Sequence, residues 1–160
     1  MIPKVPNDGL TRQVRRAGAE DADEIGQLLY DFNREFDEPT PPPGTLARRL
    51  RDLMAGGDTT VLLAGDGPDG LIVLRYRQAI WTDALECWLA ELYVAPAQRG
   101  RGLGRALMEA ALDDARSRGA DRMEVATSEG DVAARALYER FGFSKGEGES
   151  TTYFYERELS

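Results

Sequence analysis

The chain has 160 residues, of which 42% are hydrophobic and 30% charged, and its 28 acidic against 20 basic residues give a net charge of −8. This size suits one globular domain, and the acidic balance disfavours nonspecific binding to nucleic acids or anionic membranes. With no histidine and one cysteine, Cys87, the sequence excludes a histidine-based triad, most zinc sites and an intrachain disulfide. No apolar run approaches the roughly 20 residues that span a bilayer, so we expect a cytoplasmic protein without a bound metal.

The first third of the sequence predicts one strand followed by two helices. We expect residues 1–9, with two prolines, to form a flexible leader, and a single domain over residues 10–160 to begin with a strand near Leu10–Arg16. A helix follows, because apolar residues recur with helical spacing at Ile25, Leu28, Leu29, Phe32 and Phe36. The proline-rich segment EPTPPPG ends this helix, and Thr45 can cap a second one that stops at Gly56.

The middle of the chain predicts three consecutive antiparallel strands. The segments TTVLLAG, GLIVLRYRQ and LECWLAELYV are rich in β-branched, aromatic and leucine residues, and GDGPDG between the first two has the composition of a turn.

Helical spacing returns after Pro96, in a helix that Gly119 ends. A short strand RMEVATS follows, then a helix from Val132 through Phe141, then strands near residues 143–147 and 152–158. The order β-αα-βββ-α-β-α-ββ predicts an α/β (α+β) fold with a mixed, mostly antiparallel sheet flanked by helices.

The segment AQRGRGLGRAL, residues 97–107, is locally basic and glycine-rich at the start of a predicted helix. It lacks the lysine and hydroxyl residue of a phosphate-binding P-loop, and its spacing G-x-G-x-G is not the dinucleotide fingerprint G-x-G-x-x-G. A helix start offers unpaired backbone N–H groups and the positive end of the helix dipole, so a diphosphate-sized anion fits here. A glycine-rich turn with solvated arginines is the structural alternative.

The segments ELYVAPAQRGRGLGRALMEAAL and ARALYERFGF resemble the GNAT superfamily of acetyl-CoA-dependent N-acetyltransferases. The family motif Arg/Gln-x-x-Gly-x-Gly/Ala is matched at every fixed position by Arg99 to Gly104. The resemblance implies that this motif binds the CoA diphosphate through Arg99, Gly100, Arg101, Gly102, Leu103, Gly104 and Arg105. It also implies that the splayed strand at Leu92, Tyr93 and Val94 pairs with pantetheine like an added strand.

The helix DVAARALYERFGF has an apolar face and by its pattern alone could simply pack in the core. The resemblance implies a cofactor contact through Asp131, Ala134 and Tyr138, and makes Tyr138 the general acid that protonates the departing CoA thiolate. Many family members carry Asn where this chain has Asp131. An ionised Asp accepts but does not donate a hydrogen bond, so that pantetheine contact differs here.

Direct acyl transfer needs a neutral amine, and in a chain without histidine the candidate bases are carboxylates. Glu91, in the apolar strand WLAELYV, is the first candidate, acting directly or through water; Glu86 and Glu35 are alternates, and a structural charge is the other interpretation of Glu91. Strand alternation predicts that Glu91 shares a face with Cys87, Leu89 and Tyr93, opposite Trp88 and Ala90. Cys87 itself is expected to be a buried side chain rather than a nucleophile.

The residues that bind the acceptor are the ones that sequence patterns specify least. We expect it to involve the acidic, aromatic end of the first helix and the last strands, with contacts from Glu35, Phe36, Trp81 and Tyr153. The acidic side chains there would attract a cationic primary amine of a small molecule or peptide, although they are also typical of a solvated helix end. A catalytically silent acyl-CoA-binding sensor is the alternative function, and the resemblance also allows a homodimer.

Overall fold

A computed structural model describes residues 14–146 and 148–159. The chain divides into two compact units, Met1–Glu124 and Val125–Ser160. The leader expected over residues 1–9 and the first part of the expected strand, residues 10–13, lie outside the described residues. Among the helices that are described, none is both long and apolar enough to cross a membrane.

The first unit is organised around a five-stranded sheet whose spatial order follows the chain, β1-β2-β3-β4-β5. The first four strands pair antiparallel and β5 pairs parallel to β4. This confirms the predicted mixed, mostly antiparallel sheet. The bounds of the strands are Val14–Arg16 (β1), Thr59–Ala64 (β2), Gly70–Gln78 (β3), Leu85–Val94 (β4) and Ala120–Glu124 (β5).

Three helices belong to the first unit and one to the second. They are Ala22–Glu35 (α1), Pro43–Ala55 (α2), Leu103–Ser117 (α3) and, in the second unit, Val132–Arg140 (α4). Short 3-10 turns at Ala19–Asp21 and Pro96–Gln98 precede α1 and α3. The predicted element order is therefore confirmed as far as α4.

Helices α1 and α2 cross very closely at Gly26. A Cβ atom on Gly26 would lie 2.4 Å from the Pro43 carbonyl oxygen and 2.8 Å from the Ala47 nitrogen, so only glycine allows this approach. The prediction that Thr45 caps α2 is wrong, because the helix already begins at Pro43. Proline is favoured at the first helical position, where its missing N–H needs no partner and its φ already fits the helix.

The sheet is covered on both faces by different helices. On one face, α1 and α2 pack on a cluster that includes Val61, Leu63, Leu71, Val73 and Tyr93. The alternate residues of the same strands, such as Leu62, Ile72 and Leu74, are equally buried on the other face, where α3 contacts β2, β3, β4 and β5. We call these the α1/α2 face and the α3 face.

Two predicted boundaries or elements need correction. The strand expected at RMEVATS begins two residues earlier and ends at Glu124. The prediction of two final strands is wrong, because the structure has no strand over residues 143–146 and 148–159. A hydrogen bond from Thr152 N to Lys145 O and the left-handed Gly148 turn this part of the chain. Aromatic residues become a strand only where a neighbouring strand pairs with them, and the described residues of this unit form no ladder.

Candidate active site

The segment between β4 and α3, which we call the glycine loop (residues 95–104), has a backbone that its glycines require. Gly100 and Gly102 have φ angles of 78° and 82°, in the left-handed region that residues with a Cβ rarely adopt. Gly102 is also the N-cap residue of α3. The spacing G-x-G therefore first serves to turn the chain from the strand into the helix.

The start of α3 presents free backbone donors. The first hydrogen bond of this helix runs from Ala106 N to Gly102 O at 3.0 Å, so the N–H groups of Leu103, Gly104 and Arg105 have no partner within the helix. No acidic residue occupies the first turn of α3. The arrangement suits an anion, because the donors and the helix dipole act in the same direction.

The three arginines near the glycine loop have different environments. Arg99 donates from both Nη atoms to the two carboxylate oxygens of Glu35, each at 2.7 Å, and from Nε to Val94 O at 2.9 Å. Arg105 pairs with Glu109 on the same helix at 2.9 Å. Arg101 donates to the neutral Gln98 side chain at 3.0 Å. The sequence assigns all three arginines to the diphosphate site, and in the structure two of them, Arg99 and Arg105, pair with carboxylates.

A β-bulge in β4 determines where Glu91 lies. Val73 of β3 pairs with Glu91, but the next residue, Leu74, pairs with Leu89, so Ala90 is an extra residue in β4. Directly paired residues share a face of the sheet, and Val73 belongs to the core cluster under α1 and α2. Glu91 therefore lies on the α1/α2 face together with Tyr93.

Strict alternation therefore assigns the wrong face to the residues of β4 that precede the bulge. Cys87 pairs with Tyr76 and Leu89 with Leu74, which places them on the α3 face, opposite Glu91. Trp88 pairs with Arg75, two residues from Val73, and so shares the face of Glu91. Strict alternation has a period of two, and one inserted residue inverts every assignment beyond it.

The environment of Glu91 suits a proton acceptor. Its side chain is half-buried, and this burial raises the pKa of its carboxyl above the ordinary glutamate value. The described part of the chain supplies neither a hydrogen bond nor an ion pair to the carboxylate. The alternates differ: Glu86 pairs with Arg77 at 2.5 Å, and the guanidinium of Arg99 lowers the pKa of Glu35.

A hollow is lined by residues of β3, β4 and β5, and those of β4 precede the bulge. Its lining includes the Arg75–Trp88 pair, which shares the face of Glu91. Its lining residues are Arg75, Tyr76, Arg77, Glu86, Cys87, Trp88 and Glu124. Sequence patterns did not indicate Arg75 or Trp88 as site residues, because only the register at the bulge places them on the face of Glu91.

The pairing of β4 with β5 stops halfway along β4. The last pair is Trp88 with Glu124, and β4 continues for six residues to Val94. No described strand pairs with Leu92, Tyr93 or Val94 on the β5 side. This part of β4 keeps backbone donors and acceptors that an extended ligand could use.

The second unit holds the remaining cofactor candidates. The Asp131 carboxylate accepts a hydrogen bond from Ala134 N at 3.1 Å and so caps α4. Tyr138 is buried, with its ring centroid 5.8 Å from that of Phe143. The structure gives Asp131 a helix-capping role in addition to the predicted one.

The predicted acceptor residues do not all lie together. Glu35 and Phe36 are at the end of α1, where Phe36 is 56% exposed. Trp81 is 93% exposed in the loop that joins β3 to β4, whereas the glycine loop follows the other end of the ten-residue β4. At about 3.3 Å per residue, roughly 30 Å separate these two ends. Tyr153, in the second unit, is exposed and lies beside Tyr155.

Two further observations concern Cys87 and metals. Cys87 is buried, and burial raises the pKa of its thiol to about 11, so it stays protonated at neutral pH. Within residues 14–146 and 148–159, no group of three or more cysteine, aspartate or glutamate side chains is placed to hold a metal ion.

Comparison with protein families identifies the fold that carries this site. Residues 25–143 match the acetyltransferase (GNAT) family. The chain belongs to this family. The resemblance to the GNAT superfamily is thereby confirmed, and GNAT acetyltransferases use acetyl-CoA as cosubstrate.

Individual relatives of this GNAT protein support the assignment. A mycothiol acetyltransferase from Beutenbergia cavernae is 34% identical over 137 residues, which are 82% of this chain and 45% of that protein. A streptothricin acetyltransferase from Streptomyces lavendulae is 34% identical over 91 residues, 56% of this chain and 46% of that protein. The chain thus spans less than half the length of these two curated relatives.

The crystal structure of a candidate acetyltransferase from Arthrobacter sp. FB24 is similar to almost the whole GNAT chain. The two share 44% sequence identity with a TM-score of 0.85, and the alignment covers 91% of this chain and 95% of that one. The fold of this chain is therefore one already seen in an experimental structure.

Proposed function

We propose that this GNAT protein transfers an acetyl group from acetyl-CoA to a primary amine of a small molecule or peptide by direct transfer. The observation that carries the proposal is the glycine loop. Two left-handed glycines lead into a helix whose first N–H groups have no partner within the helix and whose first turn holds no acid. In this account the backbone of Arg99 to Gly104, with the side chains of Arg101 and Arg105, binds the CoA diphosphate.

The remaining cofactor contacts are assigned to two other segments. Leu92, Tyr93 and Val94 would pair with pantetheine along the edge of β4 that no described strand occupies. Ala134 and Tyr138, in the second unit, are likewise proposed as cofactor contacts. The match of residues 25–143 to one family model spans both units, which supports a single catalytic domain over residues 10–160.

The thioester supplies an acyl group that a neutral amine can attack, with a C–N bond formed and the C–S bond broken. Glu91 removes the proton that the amine loses, directly or through water, and its raised pKa makes it a better acceptor than an exposed carboxylate. Tyr138 gives its phenolic proton to the leaving thiolate and recovers it from solvent. No metal takes part in these steps.

The acceptor is proposed to bind as a cationic amine on the α1/α2 face. The end of α1 carries Asp31, Asp37 and Glu38, which are exposed and attract positive charge. Trp88, which lines the hollow described above, lies on the same face of the sheet as Glu91. The names of the relatives, mycothiol and streptothricin acetyltransferases, make small molecules the first acceptors to test.

Acetyl-CoA binding is tested by thermal unfolding. At a ligand concentration 100 times Kd, mass action stabilises the folded state by about 2.7 kcal/mol, which for a chain of this size raises Tm by roughly 5–10 °C. An unchanged Tm at millimolar acetyl-CoA would contradict the proposal. A sensor that binds acyl-CoA without catalysis would show the shift but no amine-dependent release of CoA.

A further inference from the structure

The Glu35–Arg99 ion pair connects two parts of the site that lie 64 residues apart in the sequence. Glu35 is the last residue of α1, and Arg99 follows the 3-10 turn of the glycine loop. Both Nη atoms meet the carboxylate and Nε meets Val94 O. A planar guanidinium held through three nitrogens has a fixed orientation. The end of α1 is therefore attached to the loop by a directional contact.

Aromatic side chains reinforce this connection. Tyr93 stacks on Phe32 of α1 with ring centroids 4.9 Å apart, and Phe36 meets Phe32 edge to face at 5.5 Å. The Arg99 guanidinium lies over the Tyr93 ring, 5.8 Å from its centre. Tyr93 is buried, and its ring contacts both Phe32 of α1 and Arg99 of the loop.

The charges of the pair persist at neutral pH. Arg99 is the main cause that lowers the pKa of Glu35, and Tyr93 contributes through its side chain. Both partners are nevertheless partly exposed, at 45% and 26% of their side-chain surface, and such pairs contribute little to global stability. The geometry of the pair is therefore a better guide to its role than its contribution to folding.

We propose that Glu35 and Arg99 are positioning residues that couple the glycine loop to the acceptor side of the protein. An anion bound on the loop fixes Arg99, and Arg99 in turn fixes the end of α1 and the segment after it. Glu91 and α1 lie on the same face of the sheet. Anion binding would therefore restrict the motion of the end of α1 where the amine is proposed to bind. The inference rests on the proposed function and assigns the Arg99 side chain to Glu35 rather than to phosphate.

The coupling can be measured without a known acceptor, by hydrogen exchange with and without coenzyme A. In the native protein we expect coenzyme A to slow exchange in peptides from the glycine loop and also in peptides covering residues 30–40. Glu35→Gln and Arg99→Gln should keep the slowing in the loop and lose most of it in residues 30–40. The double variant should behave like either single one, because the two residues act as one unit.

Glu24→Gln is the matched control, since it removes the same charge from an exposed position at the other end of α1. It should leave both responses unchanged. Slowing in residues 30–40 that survives in Glu35→Gln and Arg99→Gln, or that is absent from the native protein while the loop responds, would overturn the inference. No response anywhere, together with an unchanged Tm, would instead refute acetyl-CoA binding itself.

A second readout uses any amine that the protein acetylates. Glu35→Gln should raise KM for the amine several-fold while KM for acetyl-CoA and kcat change much less. A loss confined to thermal stability, with both KM values unchanged, would assign the pair a purely structural role and contradict the inference.

Discussion

Glu91 lies opposite Val73 across the β3–β4 ladder and so faces α1 and α2, although Leu89, two residues earlier, faces α3. The bulge at Ala90 creates this change of face. Bulges occur often beside active sites, where they redirect a side chain. Here the redirected side chain is a carboxylate whose burial raises its pKa, at the point where the pairing between β4 and β5 has ended.

Glu91→Gln should slow catalysis and stabilise the protein. Loss of a general base lowers kcat on the order of 100-fold or more. A carboxyl whose folded pKa is raised destabilises the folded state once the pH exceeds its unfolded pKa, so removing the charge should raise Tm at pH 7 and have no such effect near pH 4. Thermal melts and steady-state rates over this pH range check both.

In the native protein, kcat/KM should fall with decreasing pH through a pKa above that of an ordinary glutamate, because the protonated form of Glu91 is inactive. Glu86→Gln is the matched control, since Glu86 lies in the same strand and is paired with Arg77. Equal losses of activity in the two variants would remove the special role of Glu91.

Tyr138→Phe should lower kcat while leaving acetyl-CoA affinity nearly unchanged. The phenylalanine keeps the buried ring beside Phe143 and removes only the hydroxyl. Loss of a general acid is again expected to cost on the order of 100-fold. Calorimetric titration with acetyl-CoA and steady-state rates separate the two quantities, and an unaltered kcat would show that Tyr138 only packs in its unit.

Gly102→Ala and Gly119→Ala form a matched pair at the two ends of α3. Both glycines are left-handed, with φ of 82° and 81°, so each alanine should cost about 1–2 kcal/mol of stability. Only Gly102→Ala should also weaken acetyl-CoA binding, and Gly102→Glu should abolish it by adding a negative charge at the diphosphate. Equal acetyl-CoA affinities in all three variants and the native protein would place the diphosphate elsewhere.

Asp21→Asn should remove stability that is present at neutral pH and absent in acid. Arg15 and the Gly18 N–H lower the pKa of Asp21 to about 2 from an ordinary 3.8. A lowered carboxyl pKa stabilises the fold above the unfolded pKa, and this contribution is lost as the pH falls from about 5 to 2. Because Arg15 is half exposed, we expect about 1–2 kcal/mol at pH 7.

Urea unfolding at pH 7 and pH 2 tests this prediction. The native protein and Asp21→Asn should differ at the higher pH and coincide at the lower one. Asp23→Asn is the control, because its side chain is 90% exposed, and it should change stability by less than about 0.5 kcal/mol at either pH.

Local sequence patterns were sufficient to predict most of the fold and the glycine loop. Helical spacing, strand composition and the glycine motif each lie within about 20 consecutive residues, so α1 to α4 and β2 to β5 were predictable within a few residues. The final aromatic segment shows the limit, because residues 152–158 have strand composition but no described pairing partner. Whether such a segment becomes a strand depends on what lies beside it.

The contacts within the site were not predictable. The Glu35–Arg99 pair joins residues far apart in sequence, and no local pattern indicates it. The bulge at Ala90 leaves no signal in WLAELYV, yet it decides which residues face Glu91. Trp81 was expected to contact the acceptor, but the length of β4 separates it from the glycine loop. Trp88, in contrast, lies on the face of Glu91.

The central claim, acetyl transfer to an amine, is tested most directly by incubating the protein with acetyl-CoA and a panel of amines, with free CoA and the acceptor mass followed together. The panel holds small polyamines, amino acids, aminoglycosides and peptides, each beside its tertiary-amine analogue. The account predicts saturable CoA release with one acetyl group gained by a primary amine and none by the tertiary analogue. Binding of acetyl-CoA without amine-dependent release on any member of the panel would contradict it.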